Sequence, residues 1–165
     1  MPKINRLRII NFTYNNSARH ITDEMFDFFG GENALLSLAN GGGKSVLVQV
    51  MLQPIVPGAN IQKRKFSDFF TDSRLPCYIM IEWKLDYSSD YLLTGIICEN
   101  IESQNMDGDK SSRLRFFTFV SRYSQANSSD IRNIGFSSRK GKIINIMNYR
   151  KAREFADEKA RKHPL

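Results

Sequence analysis

The sequence has two cysteines, two histidines and no long apolar run, and these absences set the first limits on its function. Cys77 and Cys98 lie in apolar stretches without a second cysteine or a histidine at metal-ligand spacing, so we interpret them as reduced core thiols. His20 and His163 stand alone, without a nearby nucleophile. No run approaches the roughly 20 apolar residues of a membrane span, and no cleavage signal is evident. These features predict a soluble, cytoplasmic protein that makes no membrane contact.

The length and charge of the chain limit it further. Its 165 residues, 41% of them hydrophobic, suffice for one domain with a real core, of the α/β or α+β class. Lysine and arginine exceed the acidic residues by 24 to 17, which gives a formal charge of +7. Such an excess favours polyanionic partners such as DNA, but it is also common on proteins without one. Charge alone leaves the question of a partner open.

Periodicity and turn residues predict an alternation of strands and helices. The apolar stretch after three glycines predicts a buried helix over residues 45–54 that Pro54 ends. Residues 55–76 predict a loop followed by a short helix, and Asn148 is suited to cap a helix that continues to the C-terminus. Strands are predicted at 4–12, 21–29, 33–39, 77–85, 91–99 and 114–123.

One motif carries chemistry: a glycine run between the strand predicted at 33–39 and the helix predicted after it. A triphosphate is bound by convergent backbone amides, a mobile cation and a hydroxyl that reaches Mg²⁺, and this order provides all three. The phosphate loop would consist of Asn40, Gly41, Gly42, Gly43, Lys44 and Ser45. Lys44 would reach the β and γ phosphates, and Ser45 would bind Mg²⁺. The alternative is a glycine turn before a core helix.

Two other groups of residues are weaker candidates. Glu82, in a predicted strand, is the best internal candidate for a magnesium carboxylate, although strand alternation favours a solvated glutamate. Lys63, Arg64 and Lys65 precede a cluster of phenylalanines and are candidate DNA contacts, although such an alternation is more often a core face backed by a solvated one.

The strand that ends in Asn11 and Phe12, followed by LANGGGKSVLVQVML, resembles the N-terminal head lobe of SMC-type ATPases, which include condensins and break-repair ATPases. The resemblance implies an ABC-type lobe of mixed α/β (α+β) class, with a mixed sheet around the phosphate-loop helix and an adjacent antiparallel subsheet. It makes residues 1–147 the lobe and 148–165 a C-terminal helix at which a coiled coil could start. It also makes Asn11 and Thr13 candidate nucleotide contacts.

The resemblance further implies ATP and Mg²⁺ as cofactors and a chromosome-segregation, DNA-repair or defence function, with nucleoid association. The chain lacks the signature motif and the acidic pair of the C-terminal lobe, so that lobe, on the same or another chain, would complete the site within a dimer of heads. Leu38 also replaces the first glycine of the usual motif. The alternatives are a nucleotide-sensing or nucleic-acid-binding module without turnover, and a small self-sufficient P-loop enzyme that uses Glu82.

Overall fold

A computed structural model describes residues 1–15, 18–35, 37, 42–60, 65–70, 75–104, 110–124 and 130–162 of the chain. Within these residues it contains seven strands, two α-helices and a short 3-10 helix at Phe66–Phe69. The helices are α1 (Lys44–Leu52) and α2 (Tyr149–Lys162). The strands are β1 (Lys3–Tyr14), β2 (Arg19–Asp27), β3 (Cys77–Lys84), β4 (Tyr91–Gln104), β5 (Lys110–Tyr123), β6 (Ser137–Lys140) and β7 (Ile143–Ile146).

Five strands form one sheet in the order β2-β1-β3-β4-β5, and β6 and β7 form a separate hairpin. Every pairing between described strands is antiparallel. Three of the adjacent pairs in the five-stranded sheet, β1–β2, β3–β4 and β4–β5, are consecutive in the chain. The remaining pair, β1–β3, is joined by a long connection that contains α1. The sheet is therefore built by local pairing rather than by parallel strands with crossover helices.

The predicted fold class is wrong. A mixed α/β sheet around the phosphate-loop helix requires parallel strands, whereas the described part of the chain is mostly antiparallel sheet with two helices. The strand predicted at 33–39 is absent from its described residues: 33–35 and 37 have no regular secondary structure, and Leu35 is 95% exposed. The sequence LLSLA has the apolar character of a buried strand, but its described part pairs with no strand, so composition misled the prediction.

The other predicted elements are present with shifted ends. The five remaining strand predictions correspond to β1 to β5, and β5 begins four residues earlier than predicted. Asn148 caps α2 through its Oδ1, which accepts a hydrogen bond from Lys151 N at 2.9 Å. The β6–β7 hairpin was not predicted. Its strands have four residues each and are mostly polar or exposed, so they lack a clear hydrophobic alternation.

The sheet is covered on both faces. On one face, α1 and the 3-10 helix pack through Val46, Val50 and Phe66 against Leu7 and Ile79. The opposite face carries a second cluster that includes residues of the loop before β6, and of α2. That cluster contains Ile10, Tyr78, Met80, Leu93, Ile97, Tyr123, Ile131, Ile134, Phe136, Tyr149 and Ala152. The sheet is thus the middle layer of three, and α1 and α2 lie on opposite sides of it.

A buried arginine joins the second cluster to the sheet. Arg8 of β1 donates hydrogen bonds to both carboxylate oxygens of Asp23 in β2, at 2.9 and 2.8 Å. It also donates to the Ile131 carbonyl at 2.9 Å and to Ser137 Oγ at 2.9 Å. Burial opposes ionisation of Asp23, but the hydrogen bonds from Arg8 and Ser137 outweigh it and lower the pKa of the Asp23 carboxyl.

The two cysteines are free and face each other across β3 and β4. Burial raises the pKa of both the Cys77 and the Cys98 thiols, which keeps them protonated. Their predicted position in the core is confirmed. Within the described residues, α1 and α2 are the only α-helices, and neither is long and apolar enough to cross a membrane.

Candidate nucleotide-binding site

The described part of the candidate phosphate loop leads directly into α1. Gly43 caps the helix in the left-handed conformation, with φ 94° and ψ 14°, and its carbonyl accepts a hydrogen bond from Leu47 N at 2.8 Å. Lys44 and Ser45 are the first two helical residues, and both are exposed. Gly42 and Gly43 are half-buried. Asn40 and Gly41, the first two predicted loop residues, lie outside the described residues.

The start of α1 is chemically suited to an anion. The first-turn amides of a helix have no partner within the helix, and the helix dipole places partial positive charge there. The first turn of α1 contains no acidic residue that would compete for these amides. Lys44 adds a cation and Ser45 a hydroxyl at the same helix end. A phosphate at this position would meet amides, an ammonium group and a hydroxyl together.

An apolar groove of about 220 Å³ opens beside this helix end, between α1 and strands β1 and β2. Gly42 and Gly43 line it, which connects it to the candidate phosphate site. Its apolar lining consists of Ile9, Phe12, Tyr14, Ile21, Phe26, Val46, Leu47 and Val50. Glu24 is the only acidic residue among the lining residues. The groove therefore combines an apolar wall with one carboxylate and two glycines.

The aromatic rings at the end of β1 define the wall of the groove nearest the glycines. Asn11 has φ 55°, and after it Phe12 packs in the same cluster as Ile9 instead of alternating to the other face. The Phe12 and Tyr14 rings are stacked, with centroids 6.2 Å apart and planes inclined by 16°. The Tyr14 ring reaches Gly43 itself. The left-handed residue in β1 thus brings two aromatic rings to the α1 side.

Asn11 and Thr13, the candidate nucleotide contacts, make hydrogen bonds to other segments. Asn11 Nδ2 donates to the carbonyls of Leu75 and Pro76 at 3.0 and 3.2 Å, and Asn11 Oδ1 lies 3.0 Å from His20 Nε2. Thr13 Oγ1 donates to the carbonyl of Phe69 at 3.3 Å. These bonds join β1 to the residues before β3 and to the 3-10 helix. Their role in nucleotide contact stays a prediction.

Glu82 is far from solvent and on the wrong side of the sheet for the candidate loop. Glu82 lies on the same face of β3 as Tyr78 and Met80, the side of the sheet on which α2 packs, and only 1% of the residue is exposed. The prediction of a solvated glutamate is therefore wrong. Its Oε1 accepts hydrogen bonds from Asn5 Nδ2 and, at 2.7 Å, from Arg6 Nη1, while Tyr123 donates to its Oε2. The predicted alternation holds, but the second layer covers this face.

The pKa values of two neighbours of Glu82, Arg6 and Tyr123, are shifted by their surroundings. Burial of Arg6 opposes its charge, but the carboxylates of Glu82 and Asp27 outweigh this and raise the pKa of the guanidinium. Burial, together with the hydrogen bond to Glu82, raises the pKa of the Tyr123 hydroxyl. The cluster therefore holds a charged Arg6 and a neutral Tyr123 phenol on the two oxygens of Glu82, a structural arrangement with no access to a phosphate at α1.

The remaining predicted contacts are only partly described. Lys65 is exposed immediately before the 3-10 helix, whereas Lys63 and Arg64 lie outside the described residues. Within the described chain, no group of three or more His, Cys, Asp or Glu side chains could hold a metal ion. Magnesium bound at Ser45 would therefore take most of its ligands from phosphate and water, as is usual for Mg²⁺ in nucleotide sites.

Tyr14 and Glu24, the two lining residues with an ionisable side chain, are not among the predicted site residues. Tyr14 directly follows the Asn11–Thr13 segment, so its position next to Gly43 depends on the left-handed turn at Asn11. Glu24 pairs with Ile9 across β1 and β2, and that register places it on the α1 side. Period-2 alternation in β2 could have indicated the face of Glu24, but not that α1 would lie above it.

Comparison with known proteins assigns no function to this site. No protein-family model matches the chain, and no curated protein matches it. The similarity to SMC-type heads accordingly rests on the residues of the motif and its flanks alone.

Proposed function

We propose that this chain binds ATP with Mg²⁺ at the N-terminus of α1, as the nucleotide-binding part of an SMC-like ATPase that acts on DNA. The observation that carries the proposal is the left-handed Gly43 cap followed by exposed Lys44 and Ser45. The glycine cap lets a phosphate approach the main chain, and the exposed ammonium and hydroxyl groups at the same helix end support phosphate binding. Phosphate binding at a helix N-terminus does not require the mixed α/β sheet that the structure contradicts, whereas the SMC-like part of the proposal rests on the sequence resemblance alone.

Each part of the site would have a separate role. The first-turn amides and Lys44 would bind the β and γ phosphates, and Ser45 would contribute its hydroxyl to Mg²⁺. Gly42 and Gly43 allow a phosphate to approach the main chain because they lack side chains. The groove beside them supports a nucleotide over a bare phosphate, since the Tyr14 ring offers an apolar surface for a base.

Hydrolysis would require a second lobe. Glu82 lies across the sheet from α1, so the internal magnesium carboxylate of a self-sufficient enzyme is not supported. The outer side of α1 also exposes apolar residues: Val48 is 52% exposed and Leu52 36%, and Ile55 and Val56 follow at 50% and 54%. A helix that is apolar all round is normally buried all round. This exposure supports a partner such as a C-terminal ATPase lobe, from the same or another chain.

The nucleotide assignment is tested by calorimetric titration of the chain with ATP in the presence of Mg²⁺. Lys44→Ala should weaken binding by at least about tenfold, because a charge-assisted hydrogen bond to phosphate is lost. Lys84→Ala is the matched control. This exposed lysine of β3 lies beside Lys3 in the strand register, at the first residue of β1, whereas Tyr14 is the last residue of β1. Equal affinities of the Lys44→Ala chain and the wild type would refute the assignment.

Turnover is tested separately, by measuring phosphate release from the chain alone under conditions in which ATP is bound. The half-site proposal expects binding without significant release. Release by the chain alone, abolished in Glu82→Gln, would favour the small self-sufficient P-loop enzyme. Binding without phosphate release is also expected of a nucleotide-sensing module. Phosphate release that appears only when a C-terminal lobe is added would distinguish the half-site from such a module.

A further inference from the structure

The positive charge of the chain is concentrated in one segment, residues 131–153, which we call the basic segment. It contains seven basic residues and no acidic one, whereas the whole chain has a formal charge of +7. All seven are exposed. They are Arg132, Arg139, Lys140, Lys142, Arg150, Lys151 and Arg153. The rest of the described chain thus carries interspersed charges of both signs, and this segment carries the excess.

The β6–β7 hairpin presents part of this charge on a short, defined scaffold. Its two strands are joined by Gly141 and Lys142, and Gly141 has φ 62°, as in two-residue turns that begin with glycine. Arg139 and Lys140 lie in β6 next to this turn. Their side chains point to opposite faces because strand residues alternate. The hairpin therefore presents cations on both faces and at its tip.

A pocket of about 320 Å³ lies between this hairpin and the outer strand β2. Three arginines line it, together with Asp23, Met25 and Ile144. Arg8 is buried and its charge is offset by Asp23, to which it donates two hydrogen bonds. Arg132 and Arg139 are exposed, and Arg132 Nη2 is 3.6 Å from Asp27. The pocket retains a positive excess, and guanidinium groups suit phosphate oxygens.

The basic segment continues into α2, where its charge conflicts with the helix dipole. Arg150, Lys151 and Arg153 lie in the first turns, and no acidic residue occurs in the first turn. Cations are normally favoured at the other end of a helix, since the N-terminus carries partial positive charge. Arg150 pairs with Glu154 at 3.2 Å. An anion bound near this helix start would relieve the remaining repulsion.

We propose that the basic segment is a binding surface for the phosphodiester backbone of DNA, with one phosphate in the pocket between Arg132 and Arg139. The choice of DNA over another polyanion rests on the proposed function, but the surface is separate from the α1 site. Its exposed charged residues are all arginines and lysines and none of its exposed residues is aromatic, so it binds phosphates and does not select a base sequence. This location differs from the Lys63–Lys65 contacts predicted from the sequence.

The proposal is tested by fluorescence anisotropy with a fluorescein-labelled DNA duplex of about 30 base pairs, without nucleotide, over KCl concentrations of about 50 to 200 mM. The double variant Arg132→Ala/Arg139→Ala should bind at least about tenfold more weakly at the lower salt. Its slope of log Kd against log [KCl] should fall by about one to two, because fewer counterions are released. Lys140→Ala/Lys142→Ala, which leaves the pocket arginines in place, should also lower the slope.

Arg19→Ala/Arg122→Ala is the matched control, since it removes two exposed arginines from β2 and β5. It should retain the wild-type slope. The proposal is overturned if the control and the pocket variant lose affinity equally, if the pocket variant binds like the wild type, or if the wild type does not bind DNA at the lowest salt. Calorimetric binding of inorganic phosphate without duplex binding would also overturn it. ATP titration of the pocket variant, measured in parallel, reports on the α1 site independently.

Discussion

Gly43 and Tyr14 are in such close contact that a Cβ atom on Gly43 would lie 2.9 Å from Tyr14 Cε2. The same glycine has φ 94°, a conformation that residues with a Cβ rarely adopt. Two independent restrictions therefore favour glycine at this one position, the backbone angle and the neighbouring ring. This contact connects the end of β1 to the start of α1, where the candidate phosphate site lies.

The first prediction follows from these two restrictions. Gly43→Ala should lower the free energy of unfolding by more than the roughly 1–2 kcal/mol of left-handed strain, because the new methyl group also displaces the Tyr14 ring. Gly141→Ala is the control for strain alone, since Gly141 has φ 62° and no atom within 4 Å of its Cβ position. Urea unfolding at pH 7 measures both. Equal losses in the two variants would show that the Tyr14 contact is unimportant.

The second prediction concerns the metal. Ser45→Ala should leave ATP affinity in EDTA unchanged and remove the gain in affinity that Mg²⁺ confers, since the hydroxyl is proposed to bind the metal and not the phosphates. Titration with ATP, with and without Mg²⁺, measures the difference. Ser88→Ala, in the turn between β3 and β4, should behave like the wild type. An undiminished Mg²⁺ effect in Ser45→Ala would exclude this residue from the metal site.

The sequence was sufficient for the local elements but not for their arrangement. β3 and β4 were predicted because their apolar residues alternate and a polar turn separates them, and such information is local. Leu35 shows the limit: its apolar neighbours suggested a buried strand, yet no sequence pattern states whether a partner strand is available. The mixed sheet that the resemblance implied is also wrong, because every pairing between described strands is antiparallel.

The candidate site shows the same division. Lys44 and Ser45 were identified because their spacing after three glycines is a local property of the chain. Glu82 was misjudged because strand alternation gives the face of a residue but not what covers that face. Here Asn5 and Arg6 of β1 donate hydrogen bonds to it, and the hydroxyl of Tyr123, 41 residues away, completes its hydrogen bonds. Contacts at that sequence separation are not encoded in any local pattern.

The third prediction separates stability from nucleotide binding at Glu82. Glu82→Gln should lower the free energy of unfolding by about 1–3 kcal/mol, because Arg6 loses a buried, hydrogen-bonded carboxylate partner. It should not change ATP affinity, since the residue lies on the face opposite α1. Urea unfolding and ATP titration of the same preparation test both parts. A variant of normal stability that no longer binds ATP would contradict this assignment.

The fourth prediction concerns pH. The folded-state pKa of Asp23 is lowered from its ordinary value of 3.8, so its contribution to stability is complete above that value and is lost as the pH falls through the lower folded-state pKa. Asp23→Asn should therefore cost about 1.5–3 kcal/mol at pH 7, where it removes charge-assisted hydrogen bonds from Arg8. The difference from the wild type should shrink below about pH 4, because the Asp23 carboxyl of the unfolded chain then takes up a proton, and it should vanish as the pH falls through the lower folded-state pKa.

Urea unfolding of the wild type and Asp23→Asn between pH 3 and pH 7 measures this effect, at roughly half-unit steps. Asp90→Asn is the control, because Asp90 pairs with the half-exposed Arg122 and such surface pairs contribute about 0–1 kcal/mol. A constant difference between the wild type and Asp23→Asn across this range would mean that the amide disturbs packing rather than charge. A difference that narrows only for Asp23→Asn would show that the Arg8 ion pair, which joins the loop before β6 to the sheet, depends on the ionised carboxylate.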